Sequence, residues 1–379
     1  VGLVELSNIS LPWPINAQEE TSIIRRRECS KKSVQQGRSH FDARSIHGVR
    51  EHGKMARTPL GAFFNIPLVE RTFMNVLVTG GAGFIGSHVV DRFVQEGHQV
   101  SVIDNLSTGK RKNVNREAVL YKTDICGSRL DRIFKRERPV VIVHLAAQMN
   151  VRRSTEDPMF DANVNILGTI NLLQLSVKYG VRKIVFASSG GAVYGEQNQF
   201  PATETHPTSP LSPYGISKLS CEYYLEYYRY VAGLHYAALR FGNVYGPRQN
   251  PEGEAGVIAI FSQQLLKGQQ ILINGNGLQT RDYVYVRDVV EAVMTASDQH
   301  VNGIYNVGTG EETTVNDIFT RLKTLTQVDC KELHGPAKKG EQLRSVLDCS
   351  KLTEESAWEP TVSLAEGFAE TVEFFKQKK

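Results

Sequence analysis

Tyr214-Gly-Ile-Ser-Lys218 sets a phenol and an ammonium four residues apart. On a helix that spacing puts both side chains on one face. The lysine's charge can then draw the phenol's pKa down from its usual ~10, and a phenolate near neutral pH is a usable general base. Ser188 and Ser189 end the apolar run Lys183-Ile-Val-Phe-Ala187. Either hydroxyl could bond a substrate oxygen beside the phenol and relay its proton. Seen alone, a Tyr and a Lys at this spacing are more often a solvated helix face. The surrounding frame decides for chemistry.

That frame starts at Met74-Asn-Val-Leu-Val-Thr-Gly-Gly-Ala-Gly-Phe-Ile-Gly-Ser-His88, a buried strand running into a glycine-spaced helix start. Gly80, Gly83 and Gly86 let the backbone turn sharply and approach a pyrophosphate. The helix from about Phe84 aims its free N–H groups and positive dipole end at that phosphate. The spacing is G-x-x-G-x-x-G, not the commoner G-x-G-x-x-G. A second apolar strand, Gln99-Val-Ser-Val-Ile103, ends in Asp104, about 20 residues on, where a carboxylate takes the adenosine ribose hydroxyls. A carboxylate there repels a 2′-phosphate, so NAD is expected over NADP; the competing reading of Asp104 is a helix cap. A positive nicotinamide would add to the pull of Lys218 on the phenol.

Positioning these groups takes an alternating chain. Helix is expected over Phe84–Glu96, stopped by Gly97, with strands near 99–104 and 118–122 and a short helix near 128–137. A strand over 140–143 ends at His144-Leu-Ala-Ala147, and a long helix spans about 157–179. Next come the strand 183–187, a helix opened by Pro213 and running to about Tyr230, and a sixth strand over 235–239. The order predicts an α/β fold, a doubly wound, Rossmann-like parallel sheet, with a smaller C-terminal substrate-binding lobe. Ligands then bind outside the carboxyl ends of the strands, where 80–86, 104–109, 145–148 and 188–191 all fall. The expected division is 74–240 for the dinucleotide and 241–379 for the lobe, with an interleaved boundary.

Composition excludes several classes. The net charge of +4 lies in residues 1–73, with 11 basic and 7 acidic side chains; the remaining 33 of each cancel. A nucleic-acid partner is therefore not expected. No apolar run reaches the ~20 residues of a membrane span. The five cysteines, Cys29, Cys126, Cys221, Cys330 and Cys349, lack C-x-x-C spacing. That argues against a disulfide framework or metal site and fits a reducing cytoplasm. Residues 1–73 show no sustained period and are expected to be a disordered or non-native leader.

T-G-G-A-G-F-I-G-S-H, Asp104, H-L-A-A, S-S-G-G-A-V-Y-G and Y-G-I-S-K together resemble the extended short-chain dehydrogenase/reductase family. L-R-F-G-N-V-Y-G-P-R (239–248) and T-R-D-Y-V-Y-V-R-D-V (280–289) narrow the resemblance to members acting on nucleotide sugars. It covers 74–379 and none of 1–73. The resemblance implies NAD contacts at Gly80, Gly83, Phe84, Ile85, Gly86, Asp104, Asn105, Ser107 and Gly109. It implies others at Asp124, Ile125, Leu145, Ala146, Ala147, Gln148 and Asn165. Tyr214 matches the family's base and Lys218 its partner. The family's Ser/Thr falls on Ser189, with one extra residue in the segment leaving Ser188 as the alternative.

For the sugar nucleotide the resemblance implies Asn243 and Arg281 at the diphosphate or its sugar, Lys338 at the phosphates and Glu341 at the nucleoside ribose. Lys338 stands where the family usually has Arg, which loses the bidentate fork. Ser345 falls at the wall of the sugar pocket, where a serine leaves room for an N-acetyl group. The family's dehydratases carry an acid/base pair just before V-Y-G; here those positions are Gly191 and Ala192, which cannot move a proton. The implied reaction is C4 epimerisation of a UDP-hexose through a 4-keto sugar, in a homodimer. A UDP-glucuronate or other UDP-sugar 4-epimerase, and a non-catalytic NAD-binding regulator, are the rival readings.

Overall fold

Val76 and Val78 of the first strand pack into one apolar core while Leu77 between them packs into another. The same alternation puts Val141 and Val143 on one side and Ile142 on the other, and Val185 against Ile184 and Phe186. A strand buried on both faces needs helices on both, which is the parallel-sheet solution. The computed structural model describes residues 73–252, 256–337 and 342–377. The leader up to residue 72, Lys338 and Glu341 lie outside them.

Thirteen strands are present among the described residues: β1 (Asn75–Thr79), β2 (Gln99–Asp104), β3 (Val119–Lys122), β4 (Val141–His144), β5 (Lys183–Ser189), β6 (His235–Phe241), β7 (Asn243–Tyr245), β8 (Leu272–Asn274), β9 (Thr280–Arg281), β10 (Tyr283–Tyr285), β11 (Gly303–Val307), β12 (Thr313–Thr314) and β13 (Leu333–Gly335). Seven form the main sheet in the order β11-β6-β5-β4-β1-β2-β3, and each neighbouring pair is parallel. The order reverses between β1 and β4, so the crevice at their carboxyl ends is the place for a ligand. The helices Phe84–Gln95 and Val286–Ala296 cover one face; Leu130–Glu137, Gly168–Tyr179 and Pro213–Ala232 cover the other. Among the described residues no helix is long and apolar enough to cross a membrane.

The chain leaves the sheet after β6 and returns as β11, which lies beside β6 with Gly303 opposite Ala237. Within this excursion β7 pairs with β10 in parallel. The sheet and the later segments share one core, in which Val143 and Leu239 join Ile258, Phe319 and Phe368.

The long helix expected over 157–179 is interrupted. Val151–Glu156 forms a turn of its own, and Asp157 then caps Pro158–Ala162 by accepting from the Phe160 N–H at 3.0 Å. Asn163–Leu167 is π-helical before Gly168–Tyr179 resumes the α form. Wider turns of this kind cluster at functional sites, and this one carries Asn165. Gly168 follows because a Cβ there would stand 2.6 Å from the Ile125 side chain.

Candidate active site

The crevice is built from loops that glycine allows to touch. Gly80 has φ +72°, and a Cβ on it would lie 2.7 Å from the Ala146 nitrogen. A Cβ on Gly86 would lie 2.2 Å from the Gly80 carbonyl oxygen, so the first helical turn rests directly on the β1 turn. Gly83 begins the helix Phe84–Gln95 with no side-chain cap and no acid in its first turn. Its leading N–H groups, at Phe84 and Ile85 among them, therefore form an anion-seeking helix end.

Asp104 is 7% exposed. Its carboxylate accepts from the Ala82 N–H at 3.0 Å and the Leu106 N–H at 2.7 Å. It thus ties the glycine turn to the β2 loop rather than capping a helix, and a carboxylate keeps further lone pairs for ribose hydroxyls. A Cβ on Gly109 would stand 2.9 Å from both carboxylate oxygens, so glycine keeps that acid approachable. Asn105 donates to Asp124 at 2.8 Å and accepts from the Ser107 N–H at 2.9 Å. Ile125 is buried beside them. These residues fit an adenine dinucleotide: an uncapped helix end for its pyrophosphate, and a carboxylate behind a glycine for its ribose.

Across the crevice, Leu145 and Ala146 are held by β1, their N–H groups donating to the Thr79 carbonyl at 3.1 Å and its hydroxyl at 3.2 Å. Ala147 and Gln148 follow. The Gln148 N–H donates to the Asn165 amide oxygen at 2.8 Å, and the Asn165 amide donates back to the Gln148 carbonyl at 2.9 Å. Beneath, Thr79 and Thr169 bond the two nitrogens of His144 at 2.7 and 3.0 Å. Thr169 donates to the Asn165 carbonyl and so accepts from His144 Nε2–H, leaving Nδ1 to accept from Thr79. Burial first, then the Lys218 charge, hold this imidazole neutral, its pKa lowered to about 3.

Ser189 closes β5, and Tyr214 and Lys218 sit in the first turns of Pro213–Ala232. That helix begins with Pro213 at its first position and the Ser212 hydroxyl accepting from the Gly215 N–H at 3.1 Å. The Tyr214 hydroxyl and Ser189 are close enough for Ser189 to favour the ionised phenol. Ser188 faces the other way, donating to Glu222 at 2.5 Å. Glu222 in turn closes a bidentate, buried pair with Arg240 at 3.0 and 2.6 Å.

Lys218 Nζ donates to the Ala187 carbonyl at 2.8 Å and lies 5.7 Å from the centre of the Tyr214 ring. The expected lowering of the phenol by Lys218 is not what the protein's own groups produce. Burial pushes Tyr214 up, the Asp161 charge adds to it, and Ser189 opposes both. Burial also lowers Lys218 to about 8, against Cys221, Asp161 and Glu222, which raise it.

On the sugar-nucleotide side Asn243 opens β7, its N–H donating to the Asp282 carbonyl at 2.7 Å. Arg281 is half-buried, donates to the Thr280 carbonyl at 2.7 Å and closes no ion pair among the described residues. The neighbouring Asp282 is not its partner. That carboxylate is occupied by the Thr309 N–H and hydroxyl, both at 2.8 Å, the Gly310 N–H at 3.1 Å and the Leu347 N–H at 3.3 Å. Ser345 is buried two residues before Leu347, whose side chain packs on Gly190 beside Ser189.

The structure thus brings the described cofactor, base and sugar candidates to the carboxyl-end side of the sheet. Sequence reading missed four supports: Asp161, His144, Asp282 and the Glu222–Arg240 pair. His144, at the head of H-L-A-A, and Asp161, one helical turn before Asn165, carried a positional signal.

The sequence profile of the NAD dependent epimerase/dehydratase family matches residues 76–308. The chain is 45% identical to the UDP-glucose 4-epimerase of Mycolicibacterium smegmatis over 312 residues, covering 80% of this chain and 99% of that protein. The crystal structure of the Thermotoga maritima UDP-glucose 4-epimerase with UDP-glucose is 50% identical, with a TM-score of 0.79 over 80% of this chain and 99% of that one. The Thermus thermophilus UDP-glucose 4-epimerase in complex with NAD is 45% identical, with a TM-score of 0.76 over 79% and 98%. The chain belongs to the NAD dependent epimerase/dehydratase family.

Proposed function

We propose that this family member inverts C4 of a UDP-hexose, interconverting UDP-glucose and UDP-galactose through a 4-keto sugar. The observation that carries this reading is Ser189 at the end of β5 acting on Tyr214, with Lys218 on the same helix and Gly191 and Ala192 beside them. One base is present for the C4 hydroxyl, and neither of those two residues offers a proton-transfer group for water loss.

Residues 74–240 hold the dinucleotide and 241–379 the sugar nucleotide. NAD is held by Gly80, Gly83, Phe84, Ile85 and Gly86 at the pyrophosphate, by Asp104, Asn105, Ser107 and Gly109 at the ribose, and by Asp124 and Ile125 at the adenine. Leu145–Gln148, Asn165, Tyr214 and Lys218 complete its site. Bound NAD supplies a hydride acceptor at C4 and a donor for the return. Tyr214, as phenolate, takes the C4 hydroxyl proton while Ser189 bonds the same oxygen. Lys218 keeps a positive charge near the forming phenolate. Asn243 and Arg281, with Lys338 and Glu341, hold the UDP moiety while the sugar turns about its phosphate bond. Tyr214 then returns the proton to the oxygen on the opposite face.

Ser345 extends the substrate range to the N-acetylated pair. Four thiols without disulfides among the described residues accord with a cytoplasmic enzyme. A homodimer is supported by the apolar side chains that Pro213–Ala232 leaves in the open, Ile216, Tyr223, Tyr227 and Tyr230, with Met159 and Leu167 on the neighbouring helical segments. The deciding experiment incubates purified protein with UDP-galactose and no added NAD. UDP-glucose should accumulate, and Tyr214→Phe should lower turnover by orders of magnitude while retaining NAD. A wild-type protein that holds no pyridine nucleotide and binds none would overturn the proposal.

A further inference from the structure

Asp161 is wholly buried, and three donors of the site converge on its carboxylate. Gln148 Nε2 and Asn165 Nδ2 reach Oδ1 at 2.9 and 3.0 Å, and the Ser217 hydroxyl reaches Oδ2 at 2.6 Å. An ionised carboxylate is acceptor-only, and this one is met by donors alone. Ser217 stands on the helix between Tyr214 and Lys218, whereas Gln148 and Asn165 bond each other at the edge of the cofactor crevice. Gln148 is fixed further, exchanging hydrogen bonds with the Asn150 N–H and carbonyl at 2.7 and 2.8 Å. Asp161 closes no ion pair among the described residues: its carboxylate is bonded by neutral dipoles, and the cation its field reaches is Lys218.

We infer that Asp161 is a positioning residue: it clamps the Ser217 turn of the base-bearing helix to the Gln148–Asn165 edge of the crevice and brings one buried negative charge to bear on Tyr214 and Lys218 together. The inference rests on reading those two residues as the base and its partner. The other groups acting on the pair are Cys221 and Glu222 from their own helix, Ser189 from β5 and His144 from β4. Arg240 offsets Glu222, and His144 is neutral. Asp161 raises the pKa of both Tyr214 and Lys218.

Asp161→Asn keeps the shape and removes the charge; the Ser217 hydroxyl can rotate to accept. Ultraviolet difference titration of Asp161→Asn against Asp161→Asn/Tyr214→Phe, compared with wild type against Tyr214→Phe, reads the phenol directly. The phenol should ionise about one unit lower in Asp161→Asn, the lower bound for a nearby buried charge. Both limbs of the kcat–pH profile should move to lower pH, with NAD still bound. Ser217→Ala keeps the charge and breaks the clamp, so kcat should fall at unchanged KM while the limbs stay in place. A phenol that titrates as in wild type, or limbs that do not move in Asp161→Asn, overturns the electrostatic role. Unchanged kcat in Ser217→Ala overturns the clamp, and decides alone should Asp161→Asn fail to fold. Tyr214→Phe that retains turnover sinks the base assignment instead, without altering what the phenol titration says of Asp161.

Discussion

The Ser188 hydroxyl donates to Glu222 at 2.5 Å and is thereby turned away from Tyr214, whose phenol Ser189 influences instead. Two adjacent serines at one strand end point to opposite faces, as strand geometry requires. Ser189→Ala should therefore lower kcat about 100-fold with NAD retained. Ser188→Ala should leave kcat within a few-fold and cost about 1.5–3 kcal/mol of stability through the lost hydrogen bond to the charged Glu222, which keeps both Arg240 contacts. Steady-state kinetics and urea denaturation of both variants check this; the reverse pattern would make Ser188 the functional hydroxyl.

Glu222 and Arg240 are each almost fully buried and closed on one another at 2.6 Å. Removing one partner strands a buried charge, so Glu222→Gln or Arg240→Met should each cost about 3–5 kcal/mol. The double replacement Glu222→Leu/Arg240→Met should recover much of that loss. Denaturant midpoints and slopes of the three variants provide the measurement. Strictly additive losses would show that the pair is not the source.

His144 titrates at about 3 in the folded chain, below its ordinary 6.5, because it is buried and faces Lys218. The unfolded chain therefore binds a proton that the folded one refuses. Stability from this group is complete above about pH 6.5 and falls as pH drops toward 3, by up to about 1.4 kcal/mol per unit. His144→Gln should remove close to one proton from the pH dependence of unfolding between pH 6 and about 4.5. An identical slope in the variant would assign acid sensitivity elsewhere.

A methyl group on Gly86 would drive into the Gly80 carbonyl at 2.2 Å. Gly86→Ala should push the helix off the β1 turn and weaken NAD binding at least about tenfold, roughly 1.4 kcal/mol. Nucleotide released from heat-denatured protein, quantified by chromatography, reads this. Full NAD content after purification would separate the glycine turn from the cofactor.

If Ser345 walls the sugar pocket as proposed, Ser345→Tyr should abolish activity on the N-acetylated sugars before it touches UDP-glucose and UDP-galactose, because an aromatic ring would take the room left for the N-acetyl group. Parallel kcat/KM values for the two substrate pairs decide. Equal loss for both would remove Ser345 from the sugar pocket.

Much of this organisation was readable in the chain because it rests on local rules. Apolar runs placed β1 to β6, and glycines at 80, 83 and 86 announced the turn before the first helix. Polar supports were harder to read because their partners lie far along the chain. Asp161 meets Ser217 across 56 positions, and Glu222 meets Arg240 only once helix and β6 are packed. The break at Asp157 and the π turn at 163–167 escaped a periodicity argument, since tertiary bonds to Gln148 outweigh helical regularity there. Lys218 was legible as a residue but not as a contact: its amine goes to the Ala187 carbonyl.

The segment between β6 and β11 starts at the carboxyl end of one strand and comes back at the amino end of its neighbour, traversing the sheet's full height. A module stitched in at both ends cannot be excised and grafted as a cassette, because β11 would depart with its register partner left bare. Changing this region between relatives is consequently a matter of exchanging single side chains in place rather than of trading whole lobes.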